Sequence, residues 1–116
     1  MKGGDKRMTE KSKYRDWKVW QEALEVGVEV MGLNDLGLLE EQVKRTAVSI
    51  SAHIAEGATG DKLAYGKARK AAARLETYLI LLNRRLVVSE ETLKTLLGSL
   101  ESIHAQLGAL MRKVSY

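Results

Sequence analysis

The sequence predicts an all-α protein, an antiparallel up-down-up-down four-helix bundle. Pro and Phe are absent from the 116 residues, and Ala, Leu, Glu and Lys, which favour helix, are plentiful. Apolar residues recur at alternating spacings of three and four in four successive segments, with short connections between them. A domain of this length buries roughly two thirds of the surface that its unfolded chain exposes, so one core is sufficient.

The first 13 residues are predicted to form a disordered basic tail, because they are charged and lack apolar periodicity. Residues 14–116 are predicted to form the bundle. In its first helix, one stripe is expected to face the core: Trp17, Trp20, Leu24, Gly27 and Met31. Both tryptophans are interpreted as core anchors, with platforms for stacking nucleic-acid bases as the alternative. Asn34 or Asp35 is expected to cap the next helix.

The second helix is predicted over residues 36–56 and contains most of the segment RTAVSISAHIAEG at residues 45–57. Its apolar positions are spaced four, three and four apart, which places them on one face: Val43, Ala47, Ile50 and Ile54. Most other positions in the segment are small, so neighbouring helices are expected to approach closely. Gly57 is predicted to end the helix in the left-handed conformation that glycine adopts readily.

The third helix is predicted over residues 62–86, with Asp61 as its N-cap. Its core seam is expected to consist of Ala68, Ala72, Leu75, Leu79, Leu82 and Leu86. Residues 78–82 are apolar nearly all round the helix, which predicts burial against a second subunit. The residues proposed for that oligomer interface are Tyr78, Ile80, Leu81, Ser51 and His53.

The fourth helix is predicted to begin after Ser89, whose hydroxyl can cap it, with Glu90 and Glu91 in its first turn. An a/d heptad pattern predicts its buried side: Leu93, Leu96, Leu100, Ile103, Leu107, Leu110 and Val114. Both features agree with a final helix that closes the bundle.

Basic residues are the main functional signal. The net charge is +4, and residues 57–88 hold seven basic side chains against two acidic ones. Such asymmetry favours a polyanionic partner, although a solvated basic face explains the same pattern equally well. The residues predicted to neutralise the phosphates of a nucleic acid are Lys67, Lys70, Arg74, Arg84, Arg85, Lys44 and Arg45.

The case for an enzyme is thin. Cys is absent, and only two histidines occur. His53 and Glu56 lie one turn apart, but further carboxylate ligands on the seam are missing, so no metal site, cofactor or catalytic residue is predicted. No apolar run reaches the roughly 18 residues that span a bilayer, so a soluble cytoplasmic protein without a membrane partner is expected.

Four motifs in order resemble a known bacterial family of four-helix bundles. They are YRDWKVWQEA at residues 14–23, RTAVSISAHIAEG at 45–57, ARLETYL at 73–79 and SEE at 89–91. The family was first described from open reading frames in intervening sequences of large-subunit ribosomal RNA genes. Its pattern at the second motif reads roughly RRAxSIPANIAEG, and this chain has Thr46, Ser51 and His53 where Arg, Pro and Asn are usual.

The resemblance implies a non-enzymatic bundle that assembles into a ring, a homopentamer, and binds RNA. A related branch comprises the accessory variability proteins of diversity-generating retroelements, basic pentamers that bind a reverse transcriptase and its RNA. Two functions are therefore expected. The first is binding of structured RNA by an oligomeric bundle through basic residues of the third helix, and the alternative is a protein-interaction scaffold or accessory subunit for a retroelement reverse transcriptase.

Overall fold

The computed structural model describes residues 13–113 of the chain. Within that range the regular elements are all helices and no strand occurs, which confirms the all-α class. Two short 3₁₀ turns and four α-helices follow in order: Lys13–Asp16, α1 Lys18–Met31, Gly37–Leu39, α2 Glu40–Ala58, α3 Ala64–Arg84 and α4 Glu90–Lys113. The tail predicted for residues 1–13 lies outside the described residues except for Lys13.

Each helix packs on the next one along the chain, and α4 also packs on α1. Four helices in this cyclic order enclose one hydrophobic core, to which every helix contributes. Val30, Ile54, Leu79 and Ile103, one from each helix, have no exposed surface. None of the helices in residues 13–113 is long and apolar enough to cross a membrane.

The predicted seams of α2, α3 and α4 are largely confirmed. All four predicted core residues of α2 are fully buried, as are most of those predicted for α3 and α4. Leu86 is the exception, because α3 ends at Arg84 and leaves the Leu86 side chain 91% exposed. Leu110 is half-buried, and Val114 lies outside the described residues.

Of the predicted core stripe of α1, Gly27 is buried, but most of the other members lie one position after residues that face the core. The buried residues are Val19, Ala23, Val26, Gly27 and Val30. Met31 is 56% exposed, and Trp17 and Trp20 are half-buried at the edge of the core rather than in it. Both stripes have the same alternating spacing, so they differ only by a rotation of about 100° around the helix.

The structure confirms one of the predicted helix caps. Ser89 Oγ accepts a hydrogen bond from the Thr92 backbone N–H at 3.1 Å, as an N-cap residue does. The other predictions are wrong, because the residues before α2 and α3 are Leu39 and Leu63, which cannot cap through their side chains. Ahead of α2, the Glu40 carboxylate instead accepts a hydrogen bond from the Leu36 backbone N–H at 3.0 Å.

Gly57 lies inside α2, which continues to Ala58. The prediction that this glycine ends the helix in the left-handed conformation is therefore wrong. The left-handed positions in the described range fall in the connections between helices: Asp35, Gly37, Gly60 and Leu86. Gly57 is buried, and its small size is required by the ring of Tyr65 on α3.

Candidate nucleic-acid interface

A groove of about 270 Å³ runs between α2 and α3. Residues from both helices form its walls: Thr46, Ser49 and His53 from α2, and Lys67, Lys70, Ala71 and Arg74 from α3. The α3 wall is basic and the α2 wall carries hydroxyl and imidazole groups. The groove therefore combines cations with polar hydrogen-bonding groups.

Three of the predicted phosphate-binding residues meet in this groove. Lys67, Lys70 and Arg74 follow a spacing of three and four, so they share one face of α3. All three are exposed, and the ion pairs found in residues 13–113 involve other side chains. Their charges are therefore not compensated within the described part of the chain, which leaves them able to bind an anion.

The α2 wall is held in place by short local hydrogen bonds. Ser49 Oγ donates to the Thr46 backbone carbonyl oxygen at 2.7 Å. His53 Nδ1 lies 2.8 Å from Glu56 Oε1, one turn further along the helix. That contact fixes the imidazole orientation and leaves Nε2 for another partner, as an acceptor in the neutral ring or a donor in the charged ring.

Lys44 and Arg45 do not reach this groove. Lys44 Nζ lies 3.1 Å from Glu40 Oε2, and the guanidinium of Arg45 lies 2.9 Å from Glu41 Oε2. Both residues line a different surface depression near the α1–α2 connection. Because each cation has an acidic partner one turn before it on α2, this part of the predicted site offers little net charge to a phosphate.

Arg84 and Arg85 are also separated from the groove. They lie at the C-terminal end of α3, about 15 Å along the helix axis from Arg74. Both are exposed, and exposed apolar side chains surround them in the sequence, Leu81 before and Leu86 after. The structure thus distributes the seven predicted cations over three places, of which only the α2–α3 groove brings three together.

The predicted oligomer-interface residues occupy different environments. Tyr78 and Ile80 are half-buried against the core of their own chain, whereas Leu81 is 49% exposed. Ser51 is buried, with its hydroxyl 3.4 Å from the Val48 carbonyl oxygen. His53 lies in the basic groove instead of beside Leu81.

Sequence reasoning missed Thr46 and Ser49 as residues of the groove. In the second motif Thr46 stands where Arg is usual, and Ser49 is one of the small positions expected to serve packing. A signal was present, because Thr46, Ser49 and His53 are spaced three and four apart and so share one face of α2. That face lies beside the apolar seam, where a groove to the next helix forms.

Acidic residues gather on α1 without forming a metal site. Glu22 accepts hydrogen bonds from Ser102 Oγ and Gln106 Nε2, both at 2.8 Å. Glu25 and Glu29 are exposed on the outer side of the helix. Among residues 13–113, no group of three or more histidine or acidic side chains is placed to hold a metal ion.

The family of this chain is shown by comparison of its sequence with known protein families. Residues 15–109 match the family model described as 23S rRNA-intervening sequence protein. The matched range includes α1, α2, α3 and most of α4, and therefore both walls of the basic groove. Comparisons with curated proteins and with solved structures gave no significant match. The chain belongs to the family of 23S rRNA-intervening sequence proteins.

Proposed function

We propose that this chain is a non-enzymatic, cytoplasmic, self-associating module that binds structured RNA through the α2–α3 groove. The observation that carries the proposal is the meeting of Lys67, Lys70 and Arg74, exposed and without ion pairs in the described range, with the polar residues of α2. The description of the family refers to rRNA-intervening sequences, which makes RNA the polyanion to test first.

The dimensions of the basic wall agree with a short run of phosphates. Lys67 and Arg74 are separated by about 10 Å along the α3 axis, with Lys70 between them. The logarithm of the binding constant falls linearly with the logarithm of the salt concentration. Each neutralised phosphate adds about −0.7 to the slope of that line for a single strand, or about −0.9 for a duplex. Three contacts therefore predict a slope of about −2 to −3 from this groove.

The test is RNA binding as a function of salt, measured by fluorescence anisotropy on a structured RNA. Lys70→Glu combined with Arg74→Glu places two negative charges in the groove and is expected to abolish binding. The matched control is Lys18→Glu with Lys94→Glu, which makes the same charge change at exposed positions on α1 and α4. Absence of binding at low salt, or equal affinity in both double variants, contradicts the proposal.

The proposal includes the antiparallel up-down-up-down arrangement and assembly into a homopentameric ring. Gly57 near the end of α2 lies against Tyr65 near the start of α3, as expected for antiparallel neighbours. Exposed large apolar side chains, among them Leu38 at 103% and Leu86 at 91% exposure, support burial against other subunits. A mass corresponding to a monomer, measured by light scattering at micromolar concentration, contradicts the self-association.

The second candidate function is a scaffold or accessory subunit for a retroelement reverse transcriptase. The same exposed apolar side chains favour it, because a protein partner covers such surfaces whereas RNA does not require them. Purification from the native host distinguishes the two functions. A polymerase recovered with the chain supports the scaffold, and RNA recovered alone supports the RNA-binding module.

A further inference from the structure

One exposed apolar surface, here called the α1 patch, lies at the corner between α1 and α2. Its apolar members are Val28 and Met31, exposed by 74% and 56%, with Leu38 and Val48 beside them. Met31, Leu38 and Val48 line the same shallow depression. Lys44 and Arg45 also line it, but each is paired with a glutamate of α2.

The unpaired charges beside the α1 patch are negative. Glu25 and Glu29 are exposed on α1, and each lies within one turn of Val28. The ion pairs found in residues 13–113 do not involve either of them. The α1 patch is therefore an apolar surface with an acidic border.

A second exposed apolar surface, here called the α3 patch, lies at the end of α3. Its apolar members are Leu81, Leu86 and Val87, with Leu86 exposed by 91%. Leu86 has a φ of +64°, in the left-handed region that leucine rarely adopts. This conformation ends α3, because the Val87 backbone N–H then donates to the Leu82 carbonyl oxygen at 2.8 Å. It leaves a large apolar side chain in water, and such exposure favours a partner surface.

The border of the α3 patch is basic. Arg84 and Arg85 are exposed, and neither forms an ion pair with another residue in the described range. The nearest acidic residues along the chain, Glu90 and Glu91, belong to the first turn of α4, where Glu90 accepts a hydrogen bond from Asn83 of α3. The two patches thus have similar apolar character and opposite charge.

The fold places the patches at two corners of the bundle. Both α1 and α3 pack on α2 and α4, so the outer sides of α1 and α3 face different directions. Both helices also begin beside the end of α4. Trp17 and Lys18 line a groove with Lys113, and a Cβ at Gly66 would lie 3.7 Å from Met111 Cε.

Because α1 and α3 start at the same end of α4, they run in the same direction and end at the same end of the bundle. Each patch lies at the C-terminal end of its helix. The two patches therefore lie at a similar height along the bundle axis. A contact between the α1 patch of one molecule and the α3 patch of another needs little shift along that axis.

We propose that a second copy of this chain docks head-to-tail, the α1 patch of one subunit covering the α3 patch of the next. This inference rests on the self-association in the proposed function and deepens it by naming the two surfaces. Glu25 and Glu29 then face Arg84 and Arg85, while the apolar residues of both patches are removed from water. A symmetric α1–α1 contact would instead bring the glutamates of two copies together, which is unfavourable.

A head-to-tail contact leaves one free patch on each end of a dimer, so it continues to further subunits. With little shift along the axis, such a contact closes a ring where the rotation between subunits divides a full turn, and it extends as a filament where it does not. Arg84 and Arg85, predicted from sequence to bind nucleic acid, act in this arrangement as subunit contacts. The phosphate-binding groove of Lys67, Lys70 and Arg74 remains outside the contact.

The test is the mass of the full chain in solution for a set of charge-reversed variants. Glu25→Lys with Glu29→Lys, and Arg84→Glu with Arg85→Glu, each bring like charges together and are expected to lower the mass to the 12.9 kDa monomer. The variant that carries all four reversals restores opposite charges, and its mass is expected to return to that of the wild type. In a 1:1 mixture the two double variants are expected to associate alternately, so the mass rises above that of the monomer, although strict alternation cannot close a ring of five.

Controls make the same charge changes elsewhere on the bundle. Asp61→Lys with Glu101→Lys matches the first variant, and Lys18→Glu with Lys94→Glu matches the second, all at exposed positions. Circular dichroism verifies that each variant is folded. If one double variant fails to fold, the other double variant and its matched control still test the contact.

The possible outcomes separate this inference from the proposed function. A wild-type monomer overturns both the contact and the self-association on which it rests. An assembled wild type whose mass is unchanged by both double variants overturns only the head-to-tail contact. The head-to-tail contact is also overturned if the double variants are monomers and neither the fourfold variant nor the mixture regains a higher mass. In that case the acidic and basic residues do not act as partners.

Discussion

Gly57 of α2 lies so close to the ring of Tyr65 on α3 that a Cβ at position 57 would be 2.5 Å from Tyr65 Cε1. Real Cβ atoms do not approach a carbon atom that closely, so either the ring or the helix would have to move. Tyr65 is itself 4% exposed and belongs to the core. The glycine that closes the second motif therefore sets the spacing of α2 and α3 at one end of the basic groove.

Gly57→Ala is expected to lower the free energy of unfolding by about 1–3 kcal/mol, the usual cost of overpacking. Alanine stabilises a helix interior by up to about 1 kcal/mol relative to glycine, so a net loss identifies the steric conflict. Urea unfolding at fixed protein concentration measures the change. Gly27→Ala is the matched control, because a Cβ there would meet its nearest atom, the Ala47 carbonyl oxygen, at 3.8 Å.

Equal or higher stability of Gly57→Ala contradicts this account of the motif. Tyr65→Leu in the Gly57→Ala background provides a second measurement. A leucine in place of the tyrosine ring leaves space for the added methyl group. The two substitutions together are therefore expected to lower the free energy of unfolding by less than the sum of their separate effects. Additive costs would place the origin of the effect elsewhere.

The position of the core was predictable wherever one stripe of a helix was distinctly more apolar than the others. In α2, α3 and α4 the large aliphatic residues define a single seam, and burial follows it. In α1 two adjacent stripes are apolar, and the one with the larger side chains, which includes Trp17 and Trp20, is not the one that faces the core. The core beside α1 accepts Val and Ala, and the tryptophans pack at its edge, which depends on the shape of the other helices.

The candidate site was predictable along one helix but not across two. Helical spacing alone places Lys67, Lys70 and Arg74 on one flank of α3. The facing residues of α2 depend on how the helices pack, which no local pattern specifies. Arg84 and Arg85 are separated from that site by their distance along α3, whereas the pairing of Lys44 with Glu40 follows from an ordinary i,i+4 spacing and could have been predicted.

Neutralising the paired cations is expected to affect RNA binding less than neutralising those of the groove. Lys70→Gln with Arg74→Gln should reduce the magnitude of the salt slope by about 1.4 for a single strand or about 1.8 for a duplex. Lys44→Gln with Arg45→Gln removes the same charge but also frees two glutamates, so the slope should change by less than about 0.5 if no phosphate is contacted. Anisotropy titrations over a range of salt give both slopes, and equal slopes for the two double variants contradict the assignment of the groove.

Glu40 is expected to make the stability of the fold sensitive to acid. The Leu36 backbone N–H, with a further contribution from the Lys44 ammonium, holds the pKa of the Glu40 carboxyl below its ordinary value near 4.5. A carboxyl with a lowered pKa in the folded state stabilises the fold above its ordinary pKa, and this stabilisation is lost as the pH falls through the lowered value. The effect is therefore fully present at pH 7 and fades below about pH 4.5.

Unfolding of the wild type and Glu40→Gln, compared from pH 7 to pH 2.5, measures this contribution. The difference in stability between the two proteins should be largest at pH 7 and decrease in acid. Lys44→Gln is the informative control, because it removes the smaller cause and leaves the hydrogen bond from Leu36. The Lys44→Gln variant should keep part of the pH-dependent stabilisation that Glu40→Gln loses. A difference in stability between the wild type and Glu40→Gln that is the same at all pH values contradicts the role of the Glu40 carboxylate.

Glu22 is expected to hold α1 against α4 through the two hydrogen bonds that its Oε1 accepts, from Ser102 Oγ and Gln106 Nε2. Hydrogen bonds to a charged group contribute about 1.5–3 kcal/mol each, and partial exposure reduces the loss because water can replace them. Glu22→Ala should therefore lower the free energy of unfolding by about 1–3 kcal/mol. Glu22→Gln keeps an acceptor oxygen, so it should lower the free energy of unfolding by less than Glu22→Ala does. The control Lys94→Ala, at an exposed position on α4, should change the free energy of unfolding by less than about 0.5 kcal/mol.

A double-mutant cycle between Glu22→Ala and Gln106→Ala separates this hydrogen bond from the other effects of each substitution. Gln106 Nε2 also lies 3.0 Å from Ser102 Oγ, so the three side chains form one network and their losses should not add. A coupling of about 0.5 kcal/mol or more, measured by urea unfolding, is expected for residues in such a network. Additive losses would mean that Glu22 is solvated in solution, and the contact between α1 and α4 would then depend on Val19, Ala23 and their apolar neighbours alone.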